Sequence, residues 1–266
     1  DRTGSDILFK LWKACPAGRK ILSRVRHTDA EMIGKKKERK IRDYTVVSRI
    51  GTGRYGVCFL ARDPAGKMVV LKRFRTGMRR KNPDFSQQEA VILSGLDHPA
   101  VPELLGVIND RSGYYFVLEY QKGKTLKEWL FEEKKFFSDE EVFRIGSDLL
   151  DVLQYLHERN VVHGDISVAN VVYDGSRAAL IDFGLSGYAD GDNMRFSLDY
   201  ARFANVLLYL LYSGYSGDGK KPWYEALPLS DGQKDYLQKM LRPEEAFRST
   251  REACREFDRC FGNIRK

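Results

Sequence analysis

The sequence predicts an α+β protein in two lobes, a β-rich N-terminal lobe followed by a mainly helical C-terminal lobe. Three observations carry that prediction. Between Tyr44 and Glu119 the chain is a series of short runs rich in β-branched and aromatic residues, separated by glycine and proline turns. Beyond Gln121 the apolar residues recur at helical spacing. Within that second part lies the stretch 161–184, VVHGDISVANVVYDGSRAALIDFG, which holds Asp165, Asn170 and Asp182 among short apolar runs.

The bulk numbers fit this layout. A chain of 266 residues, 42% hydrophobic and 31% charged, buries a core in one large domain or two modest lobes. No apolar run approaches the roughly 18 residues that read as a membrane span. The first residue is Asp1 rather than Met, so an upstream segment stays open. Cys15, Cys58, Cys254 and Cys260 are scattered, with no C-x-x-C pair and no histidines at zinc spacing. Reduced thiols in the cytoplasm are the expectation, without a structural metal. The net charge of +8 is uneven. Residues 1–43 carry 13 Lys/Arg against 6 Asp/Glu, which leaves 32 against 31 of the chain's 45 and 37 for all the rest. The basic character belongs to an N-terminal extension, and no nucleic-acid surface is implied.

In chain order, the extension 1–43 shows two amphipathic helical patterns. Ile7, Leu8, Leu11 and Trp12 form one; Ile21, Leu22 and Val25, after Pro16 and Gly18, form the other. Docking on the protein body or a solvated basic face is expected ahead of contact with an anionic membrane surface. The basic run 35–40 reads as a linker. The N-terminal lobe, 44–120, then gives strands at 44–50, 57–61 and 68–74, with a turn at 63–66. A helix over 85–95 has Ala90, Val91 and Leu93 on its expected buried side, and strands follow at 104–109 and 114–119. In the C-terminal lobe, 121–266, helices are expected at 125–131, 138–159, 198–212, 230–241 and 250–261. Ser138 with Glu141 is a capping box, and Val142, Ile145, Leu149, Leu150, Val152, Leu153 and Leu156 make a wide apolar stripe behind it.

Several residues carry chemistry. Gly51-x-Gly53-x-x-Gly56, between two strands, suits a turn over phosphates, because glycines allow close backbone approach and leave N–H groups free. A dinucleotide-binding turn would open a helix, whereas here a strand follows. Lys72 lies in the apolar strand Val69-Val70-Leu71; buried there it needs an anion, for which Glu89 on the next helix is the candidate, whereas at a strand edge its ammonium would reach solvent. In 161–184 a polar loop, a buried strand, a turn at Asp174-Gly175 and a second strand bring the loop beside Asp182. Such a cluster of oxygen donors suits a hard cation such as Mg²⁺ that also contacts phosphate.

Taken together and in order, these residues resemble the protein kinase family from about residue 44 to the end. They are the glycine-rich loop at 51–56, Lys72, Glu89, His163-Gly164-Asp165 with Asn170 five residues on, and Asp182-Phe183-Gly184. Within the family the chain is most similar to short stand-alone bacterial Ser/Thr kinases. The resemblance implies the two-lobed kinase fold with a reduced C-terminal lobe, and ATP with Mg²⁺ (or Mn²⁺) as cofactors. It makes Asp165 the residue that orients the acceptor hydroxyl, with Lys72 fixed by Glu89 on the α/β-phosphates and Asn170 and Asp182 as metal ligands. Gly51, Gly53 and Gly56 would cover the phosphates. Cys58 and Val70 would roof the adenine, with Val172 also in the nucleotide-binding set. Leu118 would guard the pocket behind, and Glu119 to Gln121 would form the lobe-linking hinge.

Four departures from the family pattern stand out. Gly164 replaces the arginine that usually precedes the catalytic Asp, as in kinases that need no activation-loop phosphate. Ser167 replaces the lysine usual two residues after that Asp, which also resembles RIO- and Bud32-type atypical kinases and small-molecule phosphotransferases. Only about 14 residues separate Gly184 from Asp199, with no A-P-E-like element, so Arg248 lacks its usual glutamate partner. Cys58 and Val70 stand where valine and alanine are usual, which reshapes an apolar adenine roof; Cys58 reads as a packing residue rather than a redox sensor. The expected function is that of an ATP-dependent protein Ser/Thr kinase acting on a protein substrate and on itself, for instance at Ser5, Ser23 or Thr28. The alternatives are a small-molecule kinase, favoured by the missing docking platform, and a pseudokinase or scaffold, disfavoured by intact Lys72, Asp165 and Asp182.

Overall fold

The computed structural model describes residues 39–53, 56–76, 83–190, 195–217, 221–242, 244 and 247–262. The two helical patterns of the extension, most of the basic run, Cys15, and Ser5, Ser23 and Thr28 lie outside the described residues.

The N-terminal part is a six-stranded antiparallel sheet in the order β1-β2-β3-β4-β6-β5. Its strands are β1 (Lys40–Ile41), β2 (Tyr44–Thr52), β3 (Gly56–Arg62), β4 (Met68–Phe74), β5 (Leu104–Asp110) and β6 (Gly113–Glu119). Side chains alternate across a strand, and here the alternation divides the sheet into two faces with separate cores. Phe59, Ala61, Val69, Leu71, Ile108, Tyr115 and Val117 form one cluster, joined by Ile41 of β1. The alternate positions Phe74, Phe116 and Leu118 belong to the main core, together with helix α1 (Pro83–Ser94). Strand β1 is an addition to the elements expected from the sequence. It pairs Lys40 with Thr45 and Ile41 with Tyr44, and its Ile41 is buried.

Gly56 opens β3 directly beneath β4. A Cβ at that position would lie 2.1 Å from the carbonyl oxygen of Arg73, so only glycine lets the two strands close here. Gly56→Ala is expected to destabilise the fold by about 1–3 kcal/mol through overpacking. A urea denaturation midpoint equal to wild type would contradict that.

Helix α1 faces the sheet by a stripe that shares only Leu93 with the one expected. Val91 is 58% exposed and Ala90 only half-buried, while Ser86, Glu89, Ile92, Leu93 and Leu96 are buried. Positions 89, 92, 93 and 96 follow helical spacing. The buried polar member, Glu89, meets a lysine on β4, and that pairing sets the rotation of the helix.

The C-terminal part is built on α3 (Asp139–His157) and α4 (Phe196–Leu211), flanked by α2 (Leu126–Phe131), α5 (Trp223–Ala226), α6 (Asp231–Leu241) and α7 (Thr250–Phe261). The capping box at Ser138 and Glu141 is present, and every member of the expected α3 stripe is buried. Burial of each such side chain contributes roughly 1.5–3 kcal/mol. Two small sheets lie against α3 and α4. One orders β7 (Lys124–Thr125), β9 (Val171–Tyr173) and β10 (Ala178–Leu180), with β9 central; the other pairs β8 (Val161–Val162) with β11 (Gly187–Tyr188). No helix among the described residues is long and apolar enough to cross a membrane.

Candidate active site

The expected hairpin is present. Strands β9 and β10 pair antiparallel, Val171 with Leu180 and Val172 with Ala179. The turn between them is held by Asp174, whose Oδ1 accepts the N–H groups of Ser176 and Arg177. Beyond β10, the Ile181 N–H donates to the Asn170 carbonyl at 2.8 Å, which ties the end of the 163–170 loop to the residue before Asp182. Loop and aspartate are therefore neighbours because the hairpin register makes them so.

Three charged groups from three elements meet at this point. Lys72 Nζ on β4 lies 2.6 Å from Glu89 Oε1 on α1 and 2.7 Å from Asp182 Oδ1. Burial works against the Lys72 ammonium, but the carboxylates of Glu89 and Asp182 outweigh it and hold its pKa above the ordinary lysine value. Burial likewise pushes the Glu89 carboxyl up, against the pull of Lys72. At Asp182 the lysine prevails over burial and keeps the carboxyl below the usual range. Asp182 adopts φ 65, a left-handed backbone that turns its carboxylate toward Lys72 and the Gly184 N–H. Such conformations in non-glycine residues persist where surrounding contacts over-determine them.

Asp165 is reached from both sides of its loop. Asn170 Nδ2 donates to the Asp165 carbonyl at 2.8 Å and to its Oδ2 at 3.0 Å. Arg202 Nη1 on α4 donates to Oδ1 at 3.2 Å. The loop itself hangs from Asp199, a fully buried carboxylate in the first turn of α4. Asp199 Oδ2 accepts the His163 N–H and Oδ1 the Gly164 N–H, each at 2.8 Å. His157 Nε2 bonds Asp199 from α3, and the same ring reaches Thr250 through Nδ1. Gly164 has φ 75, the region glycine enters without steric penalty, and that conformation is what aims two successive N–H groups at one carboxylate. His163 and Phe183 pack edge to face at 4.7 Å, and burial lowers the histidine's pKa so that its neutral ring accepts the Asp165 N–H at Nδ1. Both residues pack, as expected.

The remaining expected residues sit around this centre. Gly51, Cys58 and Lys72 are cross-strand neighbours, and Val70 pairs with Leu118, all on the sheet face that carries Lys72. The Gly53 N–H donates to the Gly56 carbonyl, closing the glycine turn whose tip, 54–55, lies outside the described residues. Burial pushes the Cys58 thiol up to about 11, which suits a packing group. Glu119 ends β6 and Gln121 follows it, joined by a side-chain bond of 3.1 Å, and the Glu119 N–H is taken by the Glu103 carbonyl. Val172 is buried in β9. Arg248 is exposed.

Two residues of this arrangement carried no expected role, Asp199 as the loop's anchor and Arg202 as a partner of Asp165. Their signal in the sequence was charge within the apolar run DYARFANVLLYLL, where each needs a counter-group.

The sequence comparisons bear on the same residues. The chain matches the model described as "Protein kinase domain" over residues 44–204, from β2 into α4 and more than half of its length. The chain belongs to the protein kinase family. Among curated proteins this kinase domain is 29% identical over 231 residues to "Probable serine/threonine-protein kinase YbdM" of Bacillus subtilis, covering 83% of this chain and 90% of that one. It is 32% identical over 154 residues to "Serine/threonine-protein kinase D" of Synechocystis, covering 53% of this chain and 30% of that one. It is also 32% identical over 151 residues to "Serine/threonine-protein kinase PLK4" of Aedes aegypti, with 55% and 20% covered. The kinase domain thus spans most of the first relative's length and less than a third of the other two.

Proposed function

We propose that this kinase domain is an ATP-dependent Ser/Thr protein kinase that transfers the γ-phosphoryl group to a hydroxyl of a protein substrate in the cytoplasm. The observation that carries the reading is the pair of converging arms: Lys72 held by both Glu89 and Asp182, and Asp165 held by Asn170. The relatives' names support the Ser/Thr class. The three cysteines in the described residues, Cys58, Cys254 and Cys260, are free thiols, which accords with a reducing compartment.

The residues present fit ATP and a hard divalent cation. Asn170 spends its side-chain nitrogen on Asp165, which leaves its side-chain Oδ1 to coordinate a cation. Asp182 engages Lys72 and the Gly184 N–H through Oδ1, while its side chain stays 42% exposed. The oxygens of Asn170 and Asp182 match the hard-ligand preference of Mg²⁺ and leave Mn²⁺ acceptable. Bound Mg-ATP would supply the phosphoryl group and neutralise its charge. Lys72, fixed in place by Glu89, would bind phosphate oxygens. Gly51, Gly53 and Gly56 would give the backbone close approach to the phosphates, and Cys58, Val70 and Val172 would supply apolar contacts to the adenine. Leu118 closes the rear of the pocket, and the backbone after Glu119, through Gln121, offers the polar groups that pair with the base. Asp165 orients the incoming hydroxyl and accepts its proton.

Gly164, in the place where an arginine would receive a phosphate, supports activity without phosphorylation of the 184–199 segment. Incubation with γ-labelled ATP, Mg²⁺ and general protein acceptors tests the reading. Label on serine or threonine is expected; label on small molecules alone, or none, contradicts it.

A further inference from the structure

Helix α4 has the sequence FSLDYARFANVLLYLL and eight buried residues, and Arg202 is its one basic residue. A guanidinium is always charged and carries five N–H donors in a rigid fork. In an apolar helix it needs an anion, and the one it reaches is Asp165, with both side chains 35% exposed. The carboxylate of Asp165 is thus gripped on each oxygen separately. Asn170, from the same loop, holds Oδ2, and Arg202, from a helix 37 residues further on, holds Oδ1.

The loop offers no cation of its own. Residues 163–170, HGDISVAN, contain no Lys or Arg, and Ser167 is neutral, with its carbonyl taken by the Asn170 N–H at 2.9 Å. The helix that brings Arg202 is fastened to this loop by the residue one turn earlier, since Asp199 holds the N–H groups of His163 and Gly164. Residues three apart share a helix face, so Asp199 fixes the loop's backbone while Arg202 fixes its catalytic side chain.

We propose that Arg202 is a positioning residue for phosphoryl transfer. It orients the Asp165 carboxylate through Oδ1 and supplies from α4 the positive charge that the 163–170 loop lacks. This rests on the reading of Asp165 as the residue that orients the acceptor hydroxyl. The geometry leaves room for that hydroxyl, because a carboxylate has about four acceptor positions and two are taken here.

The test compares wild type with Arg202→Ala, Arg202→Lys and the double variant Arg202→Ala/Ser167→Lys. Arg202→Ala is expected to lower kcat about a hundredfold, the scale of a misplaced catalytic group. KM for ATP and the thermal shift given by Mg-ATP should stay at wild-type values. Arg202→Lys should recover part of kcat, and so should a lysine at 167, which returns a cation to the same carboxylate from the loop side. In the absence of nucleotide, Arg202→Ala and Asp165→Asn should be non-additive in urea denaturation, as partners in one ion pair are. Equal kcat in Arg202→Ala and an active wild type would overturn the positioning role alone. So would a loss of kcat that follows a loss of folded protein and is not relieved by lysine at either position. An inactive wild type would overturn the reading of the site on which the proposal rests.

Discussion

Replacing Lys72 with methionine is expected to abolish detectable phosphoryl transfer and also to lower stability by about 3–5 kcal/mol, the effect of leaving a buried charge without its partner. The side chain of Glu89 is almost wholly inaccessible and has Lys72 as its cation. Methionine keeps the length and the apolar stem of lysine, so the loss reports charge rather than a cavity. The effect has a defined pH dependence. In the variant Glu89 stays buried without Lys72, so its carboxyl rises further above the ordinary value. A group with a raised folded-state pKa takes up a proton in the folded state first, so the folded state gains as pH falls from that value toward about 4.3, the unfolded glutamate value. The stability deficit of Lys72→Met is therefore largest at neutral and alkaline pH and shrinks on acidification. A deficit constant from pH 8 to pH 5 would contradict the assignment of Glu89 as the buried partner. Glu89→Gln in the same background should reduce the pH dependence, leaving only the share of Asp182, whose carboxyl also loses Lys72.

Asp165→Asn is expected to lower kcat by about 10²–10⁴, the usual contribution of a positioned acid–base group, with Mg-ATP binding intact. The second half of the statement separates the two substitutions. Lys72 belongs to the nucleotide side of the site, where Glu89 and Asp182 hold it. Asp165 belongs to the acceptor side, tied to Asn170 and Arg202. Asparagine keeps the shape and one acceptor oxygen, so the folded protein should persist and the thermal shift on adding Mg-ATP should match wild type. An Asp165→Asn variant that loses nucleotide binding, or one that transfers phosphate at the wild-type rate, would contradict the division of roles.

The parts of the fold legible in the sequence were those set by local rules. The capping box at Ser138 and Glu141 and the α3 stripe were readable because a cap and a helical period are properties of neighbouring residues. Runs of β-branched and aromatic residues between glycine and proline turns predicted β3, β4 and β6 for the same reason. What stayed hidden depended on partners distant in sequence. The rotation of α1, with Val91 outward, follows from where Lys72 waits on β4. Strand β1 exists because Tyr44 and Thr45 pair with it, in a stretch whose composition is merely basic. In the site, the residues in short ordered motifs were recognisable, whereas Asp199 and Arg202 act across 35 to 37 positions on one loop. A lone acid and a lone base in an apolar helix signalled that partners exist without saying which. Gly164 sits between these cases: its identity was visible at once, but the φ of 75 that requires it comes from Asp199.

The central claim is that Asp165, Asn170 and Asp182 with Lys72 form a working phosphoryl-transfer site that acts on protein hydroxyls. Mass spectrometry of the full chain and a general protein acceptor after incubation with Mg-ATP tests it most directly, beside Asp182→Ala treated in parallel. Phosphate on serine or threonine in the wild-type reaction, and none with Asp182→Ala, is the predicted result. An unmodified wild-type reaction, or equal modification with Asp182→Ala, would contradict the account.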